Sequence, residues 1–444
     1  MIKVRIAPSP TGYLHIGTAQ SALYNWLFAH KNKGEFYLRI EDTDKARSTK
    51  EAENSITDAL VWLGLKWDGE LVRQSDNIER HKLLLQKLVD EGKAFYCHHT
   101  QEELELERKS QEEKKEAPRH ICEHKHGTGK GGQGIIRLRV DENSEKVIKF
   151  HDQIRGEIEF KAALLGDFSI ARAIDDPLYN FAVVADDSYV GITHVIRGED
   201  HISNTPKQIL IYEALGEKIP QFAHLPLILA SDRSKLSKRH GATAVTDYKK
   251  DYLPEALLNF LGGLSYTFSK EIISREEMIE EFELPKVHKS GAVFNVGKLN
   301  WLNSQYIKKL SVQEFKKIIN KPNLPDEAVP LMTERLEKLS DAEQFDYFWK
   351  EPEYDKNLLK WKKASPEEPP DMLKKIEEAF PKIDFKPEKI RETLDGLGAG
   401  DRGSAYWPLR VALTGKEKSP DPVDIALVLG KEKTLERIKK AISL

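Results

Sequence analysis

His15 and Gly17 are the first residues of the chain whose types and spacing could do chemistry. They sit in His15-Ile16-Gly17-Thr18, after a loop broken by Pro8, Pro10 and Gly12. Before that loop, Lys3–Ala7 reads as a short buried strand with Val4 and Ile6 on one face. After it, Ala19, Ala22, Leu23, Trp26 and Leu27 recur at helical spacing. A helix starting directly after a first strand aims unpaired backbone N–H groups and its positive dipole end at the loop, an arrangement that suits a phosphate. An imidazole there can donate to a phosphoryl oxygen, and Gly17 lets a flat ring approach the backbone. Taken alone, the stretch is equally an ordinary first βα turn. Much later, Lys235-Leu236-Ser237-Lys238-Arg239 places three cations in five residues, after the apolar run Leu225–Ala230 and a polar turn. Such a loop is a clamp for a polyphosphate or, taken singly, a solvated basic loop.

The two stretches together change the reading. Pro8–Gly17 (PSPTGYLHIG) and KLSKR resemble the two signatures of the class I aminoacyl-tRNA synthetases. With Leu38–Asp44, Tyr179–Asp200, Phe294–Ile307 and Trp407–Leu444, the chain resembles the bacterial-type glutamyl-tRNA synthetases along nearly its whole length. The resemblance implies an α/β fold: a Rossmann-type parallel-sheet catalytic domain with an α+β insertion, followed by an all-helical C-terminal anticodon-binding region. The expected segments are 1–94 and 176–240 for the two catalytic halves, 95–175 for an acceptor-stem-binding insertion, 241–310 for a stem-contact helical domain and 311–444 for the anticodon region. In that last region Arg402, Arg410, Lys416 and Lys418 are candidates for RNA contact, although surface charge explains each singly.

The implied reaction is attack of a glutamate carboxylate on the α-phosphorus of ATP, followed by transfer to the 3′-terminal ribose of tRNA-Glu, with tRNA-Gln open as a second acceptor. No protein nucleophile is needed; positioning and charge stabilisation carry the chemistry. His15 and Lys238 are the expected catalytic residues. Pro8, Gly12, His15, Gly17, Thr18, Lys235, Leu236, Ser237, Lys238 and Arg239 are expected around ATP, with Mg2+ on its phosphates. Thr18 stands where the first signature has its second histidine, Leu236 where the second has methionine, and Arg239 where it ends in serine. A dicarboxylate substrate is held best by arginine, whose planar fork pairs with a carboxylate at two points. Arg5 and Arg197, each at an expected strand end, fit that need; Glu41 suits the α-ammonium, and Tyr179 a wall and a hydroxyl. The resemblance places these four with Ser9 in the glutamate pocket.

Inside the expected insertion, Cys97-His98-His99 and Cys122-Glu123-His124 form a C-x-H…C-x-H pattern. Cys97, His99, Cys122 and His124 would make a closed tetrahedral Zn2+ site, with His98, His120 and His126 as spare donors. The other reading is a polar hairpin with two free thiols.

The elements that must position these groups follow from period and punctuation. Glu35–Ile40 reads as a strand, and Thr49–Gly64 and Ile78–Glu91 as helices. Thr100–Glu116 reads as a charged helix, followed by a glycine-rich turn at 127–134 and strands in Ile135–Val140 and Val147–Phe160. Tyr179–Ala185 reads as a strand turning at Asp186-Asp187, with Gly191–Ile196 returning, His201–Leu215 helical and Leu225–Ala230 the last strand. Beyond Gly241 the pattern is helical, with a proline-rich break at Pro366–Pro370.

The 444 residues suggest two to four domains. Charged residues are 32% of the chain, yet the formal net charge is −3, so any nucleic-acid contact must come from local patches. Two cysteines exclude a disulfide-stapled scaffold. The start MIKVRIAP has no apolar signal region, and no apolar run reaches membrane-spanning length, so the expectation is a cytoplasmic protein without membrane contact, monomeric as in the family. A glutaminyl-tRNA synthetase would show alternating strands in the C-terminal third, which are missing here, and the pocket keeps Arg5 and Arg197. A truncated paralogue that modifies a tRNA base would lack the helical C-terminal third. A binding protein without catalysis would have no need of His15 and Lys238.

Overall fold

Strand β1 (Lys3–Ile6) and helix α1 (Ile16–Lys31) open the chain as their patterns predict. His15 caps α1 by accepting the Gly17 backbone N–H on its Nδ1 at 3.1 Å, one of the donors a helix start leaves unpaired. Ala19, Ala22, Leu23, Trp26 and Leu27 are all buried, and α1 packs on β1. Strand β2 (Glu35–Ile40) pairs in parallel with β1. Helix α2 (Lys50–Trp62) starts at Thr49, whose hydroxyl accepts the Ala52 N–H at 3.1 Å. Strand β3 (Val72–Arg73) extends the sheet in the order β1-β2-β3, and helix α3 (Ile78–Asp90) follows. This computed structural model describes residues 1–444 except 117, 127–133, 238, 240, 242–243, 363–364 and 366. The glycine-rich turn expected at 127–134 therefore lies, apart from Gly134, outside the described residues.

Next come β4 (Ala94–Cys97), helix α4 (Gln101–Glu113), β5 (Ile135–Leu138), β6 (Val147–Asp152), β7 (Gly156–Lys161), β8 (Ser169–Ala173) and β9 (Asp176–Pro177). They are followed by helix α5 (Tyr179–Val190), β10 (His194–Gly198), helix α6 (Thr205–Leu215), β11 (Gln221–Leu225) and β12 (Ile228–Leu229). The strands of segment 95–175 divide between two sheets. One is antiparallel, in the order β4-β5-β8-β9; the β6–β7 hairpin instead joins the order β10-β11-β6-β7, with β10, β11 and β6 parallel. Thr193, just before β10, donates its backbone N–H to the Lys3 carbonyl at 2.9 Å and accepts the Lys3 N–H on its hydroxyl at 2.9 Å. These bonds align β10 with β1 and gather the carboxyl ends of β1, β2, β10 and β11.

Two readings of the sequence are corrected. Tyr179–Ala185 is not a strand and Asp186-Asp187 is not a turn: both belong to α5, buried from Phe181 to Asp187. A short continuous apolar run does not distinguish a buried strand from a buried helix. Leu225–Ala230 is not one strand. Pro226 has no N–H to continue the ladder after β11, and β12 pairs in parallel with a new partner, β13 (Ala292–Val293).

One compact unit comprises Met1–Lys249 and Pro254–Val296, the other Lys250–Leu253 and Gly297–Leu444. The first also holds helices α7 (Pro254–Gly262) and α8 (Arg275–Glu281). The second begins within α9 (Val296–Ile307) and continues as α10 (Val312–Ile318), α11 (Ala328–Thr333), α12 (Glu368–Ala379), α13 (Pro387–Leu397), α14 (Gly403–Thr414) and α15 (Pro422–Ile442). Among its described residues no strand occurs. Of the proline-rich break, Pro366 lies outside the described residues, and Pro369 and Pro370 sit in the first turn of α12, where a missing N–H costs nothing. Gly430, at φ 79°, divides α15 where the sequence marks the end of one helix and the start of the next.

Candidate active site

The gathered strand ends wall a cavity of about 510 Å3. Ligands of open parallel sheets bind at such an edge. Of the residues expected from sequence, Arg5, Pro8, Ser9, His15, Gly17, Thr18, Glu41, Tyr179, Arg197, Lys235 and Leu236 line it. Gly12, Ser237 and Arg239 do not, and Lys238 lies outside the described residues.

The proline loop is held at both ends: Glu41 donates its backbone N–H to the Pro8 carbonyl at 3.1 Å, and Thr49 to that of Pro10 at 3.0 Å. With Nδ1 occupied as an acceptor, the proton of the His15 imidazole belongs on Nε2, the tautomer that can donate to an oxygen. Beyond KLSKR the chain returns to this histidine. Ala244 bridges to His15, and Val245 donates to the Leu14 carbonyl at 2.9 Å. Leu236 is buried and donates its N–H to Ile228 at 3.0 Å. Lys235, mostly exposed, reaches Asp200 at 3.0 Å. Asp200 is a cavity residue to which sequence reading gave no role. Burial works to raise its carboxyl, but the Lys235 hydrogen bond holds it below the usual carboxylate range.

The two arginines have different surroundings. Arg5 donates its Nε–H to both oxygens of Asp187, at 3.1 and 3.3 Å. Arg39 reaches the same carboxylate at 2.5 Å and with its other arm holds Glu41 at 3.1 Å. All four side chains are buried. Burial would raise the Asp187 carboxyl; Arg39 and Arg5 overcome it and hold it low. For Glu41 burial wins and the carboxyl is raised. Asp186 accepts from Gln74, Asn77 and His81 at 2.8–2.9 Å. Arg197 has neutral partners only. Its Nε faces His224 Nε2 at 3.3 Å, and Nη2 donates to Thr205 Oγ1 at 2.8 Å. Its Nη1 is buried with no partner, and among the described residues no carboxylate pairs with it. Burial pulls its pKa down, the sign for a cation without a counter-charge. His201, 3.2 Å from the Tyr179 hydroxyl, is pushed down to about 4 by burial and by the Arg197 charge, so it too is neutral.

Sequence reading named Arg5, Glu41 and Arg197 but missed Asp187, Arg39 and His224. The available signal was Asp186-Asp187 at the end of an apolar run, since buried carboxylates demand buried cations.

Elsewhere in the same unit, ligand atoms of Cys97, His99, His120 and Cys122 lie within 4.8 Å of one another. Cys97 Sγ is 3.5 Å from His99 Nδ1 and 3.7 Å from His120 Nε2, and Cys122 Sγ is 3.6 Å from His99 Nδ1. Zinc bonds of 2.0–2.3 Å at tetrahedral angles separate N and S ligands by about 3.5 Å, so this donor set fits Zn2+. Of the expected set, Cys97, His99 and Cys122 gather, and His120 takes the fourth place. His124 Nδ1 stands 3.4 Å from Cys122 Sγ but also accepts the His98 backbone N–H at 3.5 Å. Glu107 binds His120 Nδ1 at 2.5 Å, aiming its Nε2 at the cluster.

Residues 1–301 match the class I tRNA synthetases (E and Q), catalytic domain, and residues 288–442 match an anticodon binding domain. The chain belongs to the class I tRNA synthetases of the E and Q type. The glutamate–tRNA ligase 1 of Helicobacter pylori (strain HPAG1) is 41% identical over 461 residues, covering 99% of each chain. The glutamate–tRNA ligase of Desulforamulus reducens is 40% identical, again covering 99% of each. A crystal structure of a glutamate tRNA ligase from Elizabethkingia meningosepticum in complex with its amino acid superposes with a TM-score of 0.87 at 33% identity, covering 100% of this chain and 99% of that one. The synthetase is thus an aminoacyl-tRNA ligase, and its catalytic span contains every cavity residue named above. No described helix is long and apolar enough to cross a membrane.

Proposed function

We propose that this synthetase activates glutamate with ATP and transfers it to the 3′-terminal ribose of tRNA-Glu in the cytoplasm, acting as a monomer. The observation that carries the choice of glutamate is Arg197, a buried cation with neutral partners and an unpartnered Nη1, in the cavity that also holds His15. A guanidinium of this kind prefers a carboxylate to the neutral amide of glutamine.

In the proposed arrangement Arg197 takes the side-chain carboxylate. Glu41, fixed by Arg39, takes the α-ammonium, while Tyr179, Ser9 and Arg5 complete the wall. The α-carboxylate oxygen attacks the α-phosphorus, and pyrophosphate leaves with its bonding electron pair. His15 donates its Nε2–H to the phosphoryl oxygens as charge builds there. Lys235 and, by family resemblance, Lys238 and Arg239 neutralise the departing pyrophosphate, which travels with Mg2+ as part of the substrate, and Ser237 caps their loop. The 2′-hydroxyl of the terminal ribose then attacks the adenylate carbonyl and expels AMP. Segment 95–175 is assigned to the acceptor stem, segment 241–310 to stem contact and segment 311–444 to the anticodon. Cys97, His99, Cys122 and His120, with His124 as the alternative fourth donor, would hold a structural Zn2+; bound there, it would cross-link β4 to the loop carrying Cys122.

Glutamate-dependent ATP–pyrophosphate exchange, with and without tRNA and with glutamine as control, tests the reading. Exchange with glutamate that requires tRNA is expected. Exchange supported by glutamine instead, or no exchange under any condition, overturns it.

A further inference from the structure

A guanidinium that must capture a carboxylate poses a problem of design. It has to be held still, but a carboxylate partner would spend its charge. Arg5 illustrates the second outcome, since both Asp187 oxygens lie on its Nε. Arg197 is held by acceptors that carry no charge: His224 Nε2 at 3.3 Å and Thr205 Oγ1 at 2.8 Å. An imidazole nitrogen accepts only when it has no proton. His224 must therefore carry its proton on Nδ1, and Asp152 Oδ2 receives that proton in a hydrogen bond of 2.6 Å, with both side chains fully buried. Asp152 is itself fixed, because its other oxygen accepts the backbone N–H groups of Ile154 at 3.0 Å and Arg155 at 2.9 Å. The pair exists because β6 docks on β11 with Asp152 opposite Phe222.

We propose that Asp152 and His224 are positioning residues that orient Arg197 through a neutral imidazole, leaving its full charge for the side-chain carboxylate of the amino-acid substrate. The proposal rests on the reading of Arg197 as the glutamate-binding cation. Asp152 sets the tautomer of His224, His224 and Thr205 set the plane of the guanidinium, and Nη1 is left buried and without a partner in a residue that lines the cavity. The negative charge of Asp152 stays one ring away from the cation. Burial, aided by the Arg197 charge, holds the imidazole neutral.

Asp152→Asn separates this role from mere support of the fold. The asparagine oxygen can still accept from Ile154 and Arg155, while its NH2 donates to Nδ1 and drives the His224 proton onto Nε2, where it opposes the Arg197 N–H. The expected result in tRNA aminoacylation is a KM for glutamate raised about 10- to 100-fold, with the KM for ATP moved by less than about threefold and the thermal unfolding midpoint kept. His224→Leu is expected to show the same split. His224→Gln, whose amide oxygen can accept from Arg197 Nε, should recover most of the loss. Equal changes in both KM values, or a glutamine variant no better than the leucine one, would overturn the proposal. Wild-type protein with no glutamate-dependent charging would instead overturn the functional reading on which it stands, and this assignment with it.

Discussion

Arg5 and Arg197 look alike in the sequence, each a cation at the end of an apolar strand. Their environments divide the work. Arg5 shares Asp187 with Arg39, so its charge is largely answered inside the protein. Arg197 has only neutral acceptors and a bare Nη1. Arg197→Ala is therefore expected to raise the KM for glutamate by about 100-fold, the loss of one buried charge-assisted contact, and to leave the KM for ATP nearly unmoved. Initial-rate kinetics with each substrate varied in turn checks this, and equal effects would place Arg197 outside the amino-acid pocket. The place of His15 at the start of α1 was legible at this scale from the spacing that follows it; that its ring caps the helix was not. The bareness of Arg197 was not legible, because it depends on which residues fail to reach it.

Among the elements, α1 and α5 show where local pattern suffices and where it stops. In α1 the apolar residues Ala19, Ala22, Leu23, Trp26 and Leu27 recur at helical spacing and name the helix, although Ala22 to Leu27 are buried without a break. In α5 the residues from Phe181 to Asp187 are buried on every side, so no period survives to read. What identifies α5 is the fate of its carboxylates, Asp186 meeting His81, Gln74 and Asn77, and Asp187 meeting Arg5 and Arg39. Asp187→Asn keeps the shape but leaves two buried guanidiniums short of a counter-charge. It is expected to lower the stability of the fold by about 3 kcal/mol, as removal of one partner from a buried ion cluster does. Urea unfolding at neutral pH measures this, and a change below about 1 kcal/mol would mean the cluster is not structurally coupled. The β6–β7 hairpin gives the matching lesson for strands. Strand character in Val147–Phe160 was visible, but the sheet the hairpin joins was not, since pairing partners are chosen by the whole fold.

At the scale of the whole molecule, the Cys97–His99–His120–Cys122 cluster brings together two segments that the sequence already marked as donors. Purified protein is expected to contain about one Zn2+ per chain, lost in a Cys97→Ser, Cys122→Ser double variant. Stripping it with a chelator is expected to lower the thermal midpoint, since metal bound only by the folded state adds to folding stability. Metal content near zero after mild purification would leave two buried thiols and no metal site. The signatures at Pro8–Gly17 and Lys235–Arg239, the helical faces, and the helical character of the C-terminal third were determined by the sequence alone, because caps, turns and hydrophobic periods are properties of neighbours along the chain. Only the tertiary structure decided which arginine is left without a carboxylate partner, which sheet receives β6, and that His120 joins Cys97, His99 and Cys122 in one donor set. Those outcomes depend on residues far apart in sequence. Arg5 meets Asp187 across 182 positions and Asp152 meets His224 across 72, and no local pattern encodes whether a buried charge at such distance finds its partner.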